Sequence, residues 1–116
     1  MTPHFAPTLQ KIAASVGHLK EVRKETLQPG DWLFVKTVKS VYRIRVLGPR
    51  RYEVSGGWFD KKGLSPARLS IAGCTWGGSA IKVDLVAACG LRLEFGNRLI
   101  TSPIQRIFVL PRGSNN

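Results

Sequence analysis

Two cysteines, two histidines and seven carboxylates are the whole supply of thiol, imidazole and acid chemistry in this 116-residue chain. A cysteine nucleophile needs a base beside it and a third group to orient that base. Cys74 and Cys89 lie far along the chain from His4 and His18, which both fall in the first eighteen residues. A closed zinc site takes its ligands in closely spaced pairs, and two cysteines fifteen residues apart with two distant histidines lack that spacing. Most of the carboxylates sit in alternating stretches beside Lys or Arg, where cross-strand pairing accounts for them. The chain therefore reads as non-enzymatic, with no metal and no cofactor.

The stretch "GCTWGGSA" (73–80) invites comparison with a phosphate-cradling loop. That loop needs a Lys to reach the phosphates and a helix N-terminus to aim its N–H groups at them. Here no Lys stands directly after the glycines, and the next residues, "AIKVDLV", alternate as a strand does. A turn or bulge between strands is the better reading.

Basic and aromatic residues remain. Eighteen Lys and Arg against seven Asp and Glu give a net charge of +11, which draws a protein toward phosphate backbones, anionic surfaces or acidic partners. Like-charge repulsion for solubility is the plainer explanation of the same excess. Residues 31–63 carry eight bases and three acids, net +5, the densest positive region of the chain. Within it Lys39, Arg43 and Arg45 occupy alternate positions, while Arg50, Arg51, Lys61 and Lys62 sit in the loops that flank "YEVS". If these bases form one patch, Trp58 and Phe59, which follow Gly56-Gly57, are the aromatics placed to stack against bases of a single strand. Tyr52 is in phase with Val54, and Trp32 with Phe34, so these three aromatics read as core. No signature of a named nucleic-acid-binding motif is present.

The elements that must hold such a patch follow from hydrophobic period. Leu9, Ile12, Ala13, Val16, Leu19 and Val22 recur at three or four residues and predict an amphipathic helix over 8–25. From Asp31 the period drops to two. "DWLFVKT" (31–37), "VYRIRVL" (41–47), "RYEVS" (51–55), "ARLSIAG" (67–73), "AIKVDLV" (80–86), the hairpin "LRLEF-GN-RLIT" (91–101) and "IQRIFVL" (104–110) read as strands. In 80–86 the alternation sets Ile81, Val83 and Leu85 on one face. Seven or eight short strands at this spacing predict a mainly β fold, a small antiparallel barrel or two-sheet sandwich, with one N-terminal amphipathic helix. The organisation expected is an arm and helix over 1–30, a β domain over 31–110 and a disordered tail over 111–116.

The segments "VKTVKSVYRIRVL", "GGWF", "AGCTWGGSAIKV" and "CGLRLEFGNRLITSPIQRI" together resemble a group of small, functionally uncharacterised bacterial β-rich proteins, over roughly residues 32–107. The resemblance implies a shared β fold and no particular activity. It singles out Thr37, Ser40, Tyr42, Gly77, Gly78, Ser79, Thr101 and Ser102, small polar positions suited to turns and strand-end hydrogen bonds.

The N-terminal residues contain no continuous apolar core of a signal peptide, and the most apolar stretch is interrupted by Lys82 and Asp84, so no membrane span is expected. These features predict a cytoplasmic protein with reduced thiols, although a Cys74–Cys89 bridge stays open. The function expected is a non-catalytic binding module for RNA or single-stranded DNA, using Lys39, Arg43, Arg45, Arg50, Arg51, Lys61 and Lys62 on phosphates and Trp58 and Phe59 on bases. The alternative is a protein-interaction or structural module that docks an acidic partner or a second copy of itself, giving a homodimer, through the helix or a sheet edge.

Overall fold

Alternation of apolar and charged side chains dominates the chain from Trp32 on, and the structure spends it on sheets. A computed structural model describes residues 19–77 and 80–113. Among these, the strands are β1 (Glu21–Arg23), β2 (Trp32–Thr37), β3 (Val41–Gly48), β4 (Arg51–Gly56), β5 (Ala67–Leu69), β6 (Ile71–Thr75), β7 (Ile81–Lys82), β8 (Leu85–Ala88), β9 (Arg92–Phe95) and β10 (Ile104–Leu110). One short helix, α1 (Gly57–Lys61), and a 3-10 turn at Lys24–Thr26 complete the described elements. The strands make a five-stranded sheet ordered β10-β2-β3-β4-β5, a three-stranded sheet β7-β6-β9 and a two-stranded sheet β1-β8, and every pairing is antiparallel. The fold is thus mainly β, as the period predicts, but among the described residues no barrel closes: β10 and β5 remain the two ends of the large sheet.

One apolar core is shared by all three sheets. Leu33 and Val35 of β2, Ile44 of β3, Val54 of β4, Cys74 of β6, Val86 of β8, and Leu93 and Phe95 of β9 are fully buried in it. In β3 the alternation holds as read, with Tyr42, Ile44 and Val46 buried while Arg45 is exposed. Trp32 and Phe34 are in phase and stack at 6.0 Å, yet they belong to a second cluster with Phe108 and Leu110, on the opposite face of the sheet from Leu33 and Val35. Leu33, Phe34 and Val35 are consequently buried in succession.

Three expectations are corrected. The helix predicted over 8–25 does not extend through its described part, since Leu19 bridges Ile107, Glu21–Arg23 pair with β8 and Lys24–Thr26 form the 3-10 turn. Residues 8–18 lie outside the described residues. Val22 fits a strand as well as a helix: it is buried between exposed Glu21 and Arg23, and pairing there supplies partners for the wholly buried strand β8. Helical spacing is a weak prior beside such tertiary pairing. Val22 is thereby buried in the main core, and Leu27 packs against it.

The second correction concerns the strand read over 80–86. It breaks at Val83 and Asp84, because β7 pairs with β6 while β8 pairs with β1. Val83 is 60% exposed instead of facing the core with Leu85. The stretch 67–73 divides in the same way at Ser70, between β5 and β6. Third, the tail read as fraying from Pro111 is held at its start, where the Arg112 N–H donates to buried Asp31 at 2.8 Å. The hairpin at 91–101 turns at Gly96-Asn97 as expected, and its return limb is reduced to a single bridge, Glu94 with Ile100.

Candidate functional site

Three segments meet at the end of the large sheet where β2 passes to β3. They are the Val38–Ser40 turn, helix α1 and the loop from Leu99 to Pro103. Between them lies a concavity of about 370 Å³ whose lining includes Lys39, Lys61 and Arg92, the ring of Trp58, and the small polar residues Ser40, Thr101 and Ser102. No carboxylate is among the lining residues. The lining thus sets three cations beside an indole with no acid among them.

The walls are fixed by local hydrogen bonds. The Thr37 hydroxyl donates to the Ser40 carbonyl at 3.1 Å and accepts from the Ser40 N–H at 3.0 Å, which closes the turn. The Lys39 N–H donates to the Ser102 hydroxyl oxygen at 3.0 Å, joining the turn to the Leu99–Pro103 loop. Buried Thr101 accepts from the Leu93 N–H at 3.1 Å and donates to the Ser102 carbonyl at 2.8 Å. Arg92 sits on β9 opposite Thr75 and reaches the Thr101 carbonyl at 3.5 Å.

Trp58 is placed by the Gly56-Gly57 pair. Gly56 has φ +96° and ψ 178°, a region open in practice to glycine alone, and a Cβ there would overlap the Val41 carbonyl oxygen. Gly57 has φ +48°, and a Cβ there would overlap the Tyr42 ring. This close approach turns α1 back over the sheet edge, where the Trp58 N–H donates to the Tyr42 hydroxyl oxygen at 3.4 Å. The indole packs edge-on against Phe59 at 5.3 Å and stays half-buried, with one side on the core and the other on the concavity. Asp60 secures the turn by accepting from the Gly56 N–H at 3.0 Å and from the Ser65 hydroxyl. Those hydrogen bonds, with Arg43 at 3.9 Å, hold its carboxyl below the usual range.

The residues singled out from the sequence are thereby separated. Lys39, Trp58 and Lys61 line the concavity. Lys62 is exposed at the end of α1. Arg43 and Arg45 stand on the sheet face turned away from the main core, opposite Phe34 and Trp32, so Lys39 in the turn does not share their strand. Arg50 and Arg51 lie at the β3–β4 turn, the far end of the sheet. Phe59 is a correction: at 1% exposure it is a core residue, packed T-shaped against Phe95 at 5.1 Å, and offers no stacking face. One turn of helix reverses direction within a residue or two, so of the adjacent pair only Trp58 meets the concavity.

Arg92, Thr101 and Ser102 were not among the charge-and-aromatic residues chosen from the sequence. The alternation of "LRLEF" places Arg92 off the core face, and that is the one signal for it; its meeting with Lys39 and Lys61 depends on how two sheets pack.

A second concavity, about 580 Å³, lies among Lys24, Glu25, Arg50, Ile71 and Asp84, and a third of about 480 Å³ adjoins it at Leu27, Pro49 and Tyr52. Burial, followed by the nearby Arg50, lowers the Lys24 pKa. Acids and bases are mixed there, with Arg23 bridging Glu25 at 2.8 Å and Asp84 at 3.1 Å, so the charge is largely cancelled. Both cysteines are free thiols. Burial pushes Cys74 up to about 12, and it donates to the Val86 carbonyl at 3.5 Å. Among the described residues no three His, Cys, Asp or Glu side chains gather as a metal site would require, and no described helix is long and apolar enough to cross a membrane. No family model, curated protein or solved structure matches the chain.

Proposed function

We propose that this protein is a non-catalytic binding module for single-stranded nucleic acid, and that the concavity at Trp58 is where it takes hold. A single observation carries the reading: Lys39, Lys61 and Arg92 surround a half-buried indole with no carboxylate among them. A base stacks on Trp58 while the cations take the adjoining phosphates. Hydroxyls of Ser40 and Ser102 at the rim suit sugar or phosphate oxygens. Stacking on an aromatic side chain contributes about 1–3 kcal/mol per base without regard to sequence, and this fits a site with few fixed hydrogen-bond readers. Arg45, and Arg43 in part because it lies 3.9 Å from Asp60, add positive charge on the neighbouring sheet face, and the net charge of +11 speeds encounter.

Labelled RNA and DNA oligonucleotides titrated at two salt concentrations test this. Affinity falls as salt rises, by counterion release. Replacing exposed Lys39 and Lys61 with Ser lowers the slope of log affinity against log salt by about 1.4, from two contacts at ~0.7 each. The same replacement at Arg50 and Arg51, at the far end of the sheet, leaves the slope nearly unchanged. Absence of binding at low salt, or equal effects of the two pairs, overturns the reading. Selective capture of an acidic polypeptide, or salt-insensitive self-association, marks the chain as a protein-interaction module instead.

A further inference from the structure

Trp76 is 59% exposed at the turn that follows β6, the most exposed of the three tryptophans, with the Lys82 ammonium 5.4 Å from its ring centroid. An exposed indole beside a cation presents a flat face and a positive charge together, which suits a ligand with both rings and negative charge. Its position relative to the Trp58 concavity is what gives it meaning. Thr75, the preceding residue, pairs with Arg92 across β6 and β9. The Arg92 guanidinium lies within 3.5 Å of where a side chain on Gly77 would begin, and its other end reaches the Thr101 carbonyl in the concavity wall. Arg92 therefore spans from the turn carrying Trp76 to the site carrying Trp58.

We infer that Trp76 is a second stacking platform, and that a single strand runs from the Trp58 concavity across Arg92 to the Trp76 turn. The inference rests on reading the concavity as a nucleic-acid site, and deepens it by giving the strand a direction and a minimum length. One base stacks on Trp58. The backbone then crosses Arg92, whose planar guanidinium grips a phosphate with two donors. A later base stacks on the face of Trp76 not covered by Lys82, which takes the next phosphate. Arg92 is the positioning residue of the pair, because both platforms are usable at once only if the strand is neutralised between them.

The test compares oligothymidylates of two and eight nucleotides on wild-type protein, Trp76→Ala and Trp58→Ala. Trp76 is exposed enough to replace without disturbing the fold, and Trp58→Phe serves as a second variant should Trp58→Ala fold poorly. Trp76→Ala weakens the eight-nucleotide complex by about tenfold, the loss of one stacked base, and leaves the dinucleotide unchanged. Trp58→Ala weakens both, and Trp58→Phe restores most of the loss. Wild-type binding of the octamer that Trp76→Ala does not alter overturns the second platform and leaves the concavity standing. Failure of the wild-type protein to bind either oligonucleotide overturns the concavity, and this inference with it.

Discussion

Replacing Gly57 with Ala tests whether the approach of α1 to Tyr42 is what holds Trp58 in place. A Cβ at Gly57 would stand 2.5 Å from Cε1 and 2.7 Å from the hydroxyl oxygen of Tyr42. The ring has little room to yield, since Tyr42 is buried, lies 5.5 Å from Phe95 and meets Phe59 edge-on at 6.2 Å. Two costs add. A left-handed conformation costs a non-glycine residue about 1–2 kcal/mol, and forcing carbon into a packed core costs about 1–3 kcal/mol more. Gly63 separates them, because its φ is +67° and nothing lies within 4 Å of its would-be Cβ. Gly63→Ala therefore carries the backbone cost alone, about 1–2 kcal/mol, and Gly57→Ala carries about 2–5 kcal/mol. At roughly 4 °C per kcal/mol for a domain of this size, the two melting temperatures separate by about 4–12 °C. Thermal scans followed by far-ultraviolet circular dichroism measure the melting temperatures, and urea unfolding with a shared m-value shows that the difference lies in stability. In a Tyr42→Leu background the extra cost of Gly57→Ala disappears, a coupling of about 1–3 kcal/mol. Equal destabilisation by the two glycine substitutions, or an unchanged penalty without the Tyr42 ring, refutes the proposed contact.

Asp60 makes the same turn sensitive to acid. Its carboxyl is depressed first by the Ser65 hydroxyl, then by the Gly56 N–H and by Arg43. A depressed carboxylate contributes in full above its unfolded value of about 3.9 and loses that contribution as pH falls through the lower folded value. The Gly56 amide resonance is expected to titrate with a midpoint below pH ~3.9 and to lose that titration in Asp60→Asn; a midpoint at or above the ordinary value contradicts the hydrogen-bond geometry. Thiol labelling gives the third prediction. At mildly alkaline pH an alkylating reagent modifies half-buried Cys89 slowly and spares Cys74, which is fully buried and raised to about 12, until denaturant is added. Equal labelling of both thiols in the native state counts against the placement of β6 in the core. Finally, Phe59→Ala removes a core side chain and costs about 3–5 kcal/mol in urea unfolding, while a loss below ~1 kcal/mol shows it to be a surface residue after all.

What could be read from the sequence was whatever period alone decides. The strands β2, β3, β4 and β10 fall within a residue or two of the alternating stretches, because each stays in one sheet along its whole length. The stretches 67–73 and 80–86 alternate too, but each is cut where the chain leaves one sheet for another. Nothing local marks Ser70 or Val83 as the point of departure, since the partner strands decide it. Val22 illustrates the same limit for the helix. A side chain at i and another at i+3 satisfy a helical face, and one buried residue between two charged neighbours satisfies a strand; only the edge of β8 chooses between them.

Charge misleads in a more specific way. Arg50 and Arg51 on one side of β4, and Lys61 and Lys62 on the other, look like one cluster because thirteen residues of sequence contain them all. A six-residue strand separates their loops, and at 3.3 Å per residue it sets them about 20 Å apart. That is more than twice the screening length of ~8 Å at physiological salt, so the two ends cannot share one phosphate or reinforce each other's field. Strand connectivity does the reverse for Arg92, which is thirty residues beyond Lys62 in sequence and lines the same concavity as Lys61. Cations that flank a strand are held apart by it, and those that meet lie where different strands reach the same edge. In this antiparallel fold the basic surface is assembled from separate elements: Lys39 comes from the β2–β3 turn, Lys61 from the end of α1 and Arg92 from the start of β9.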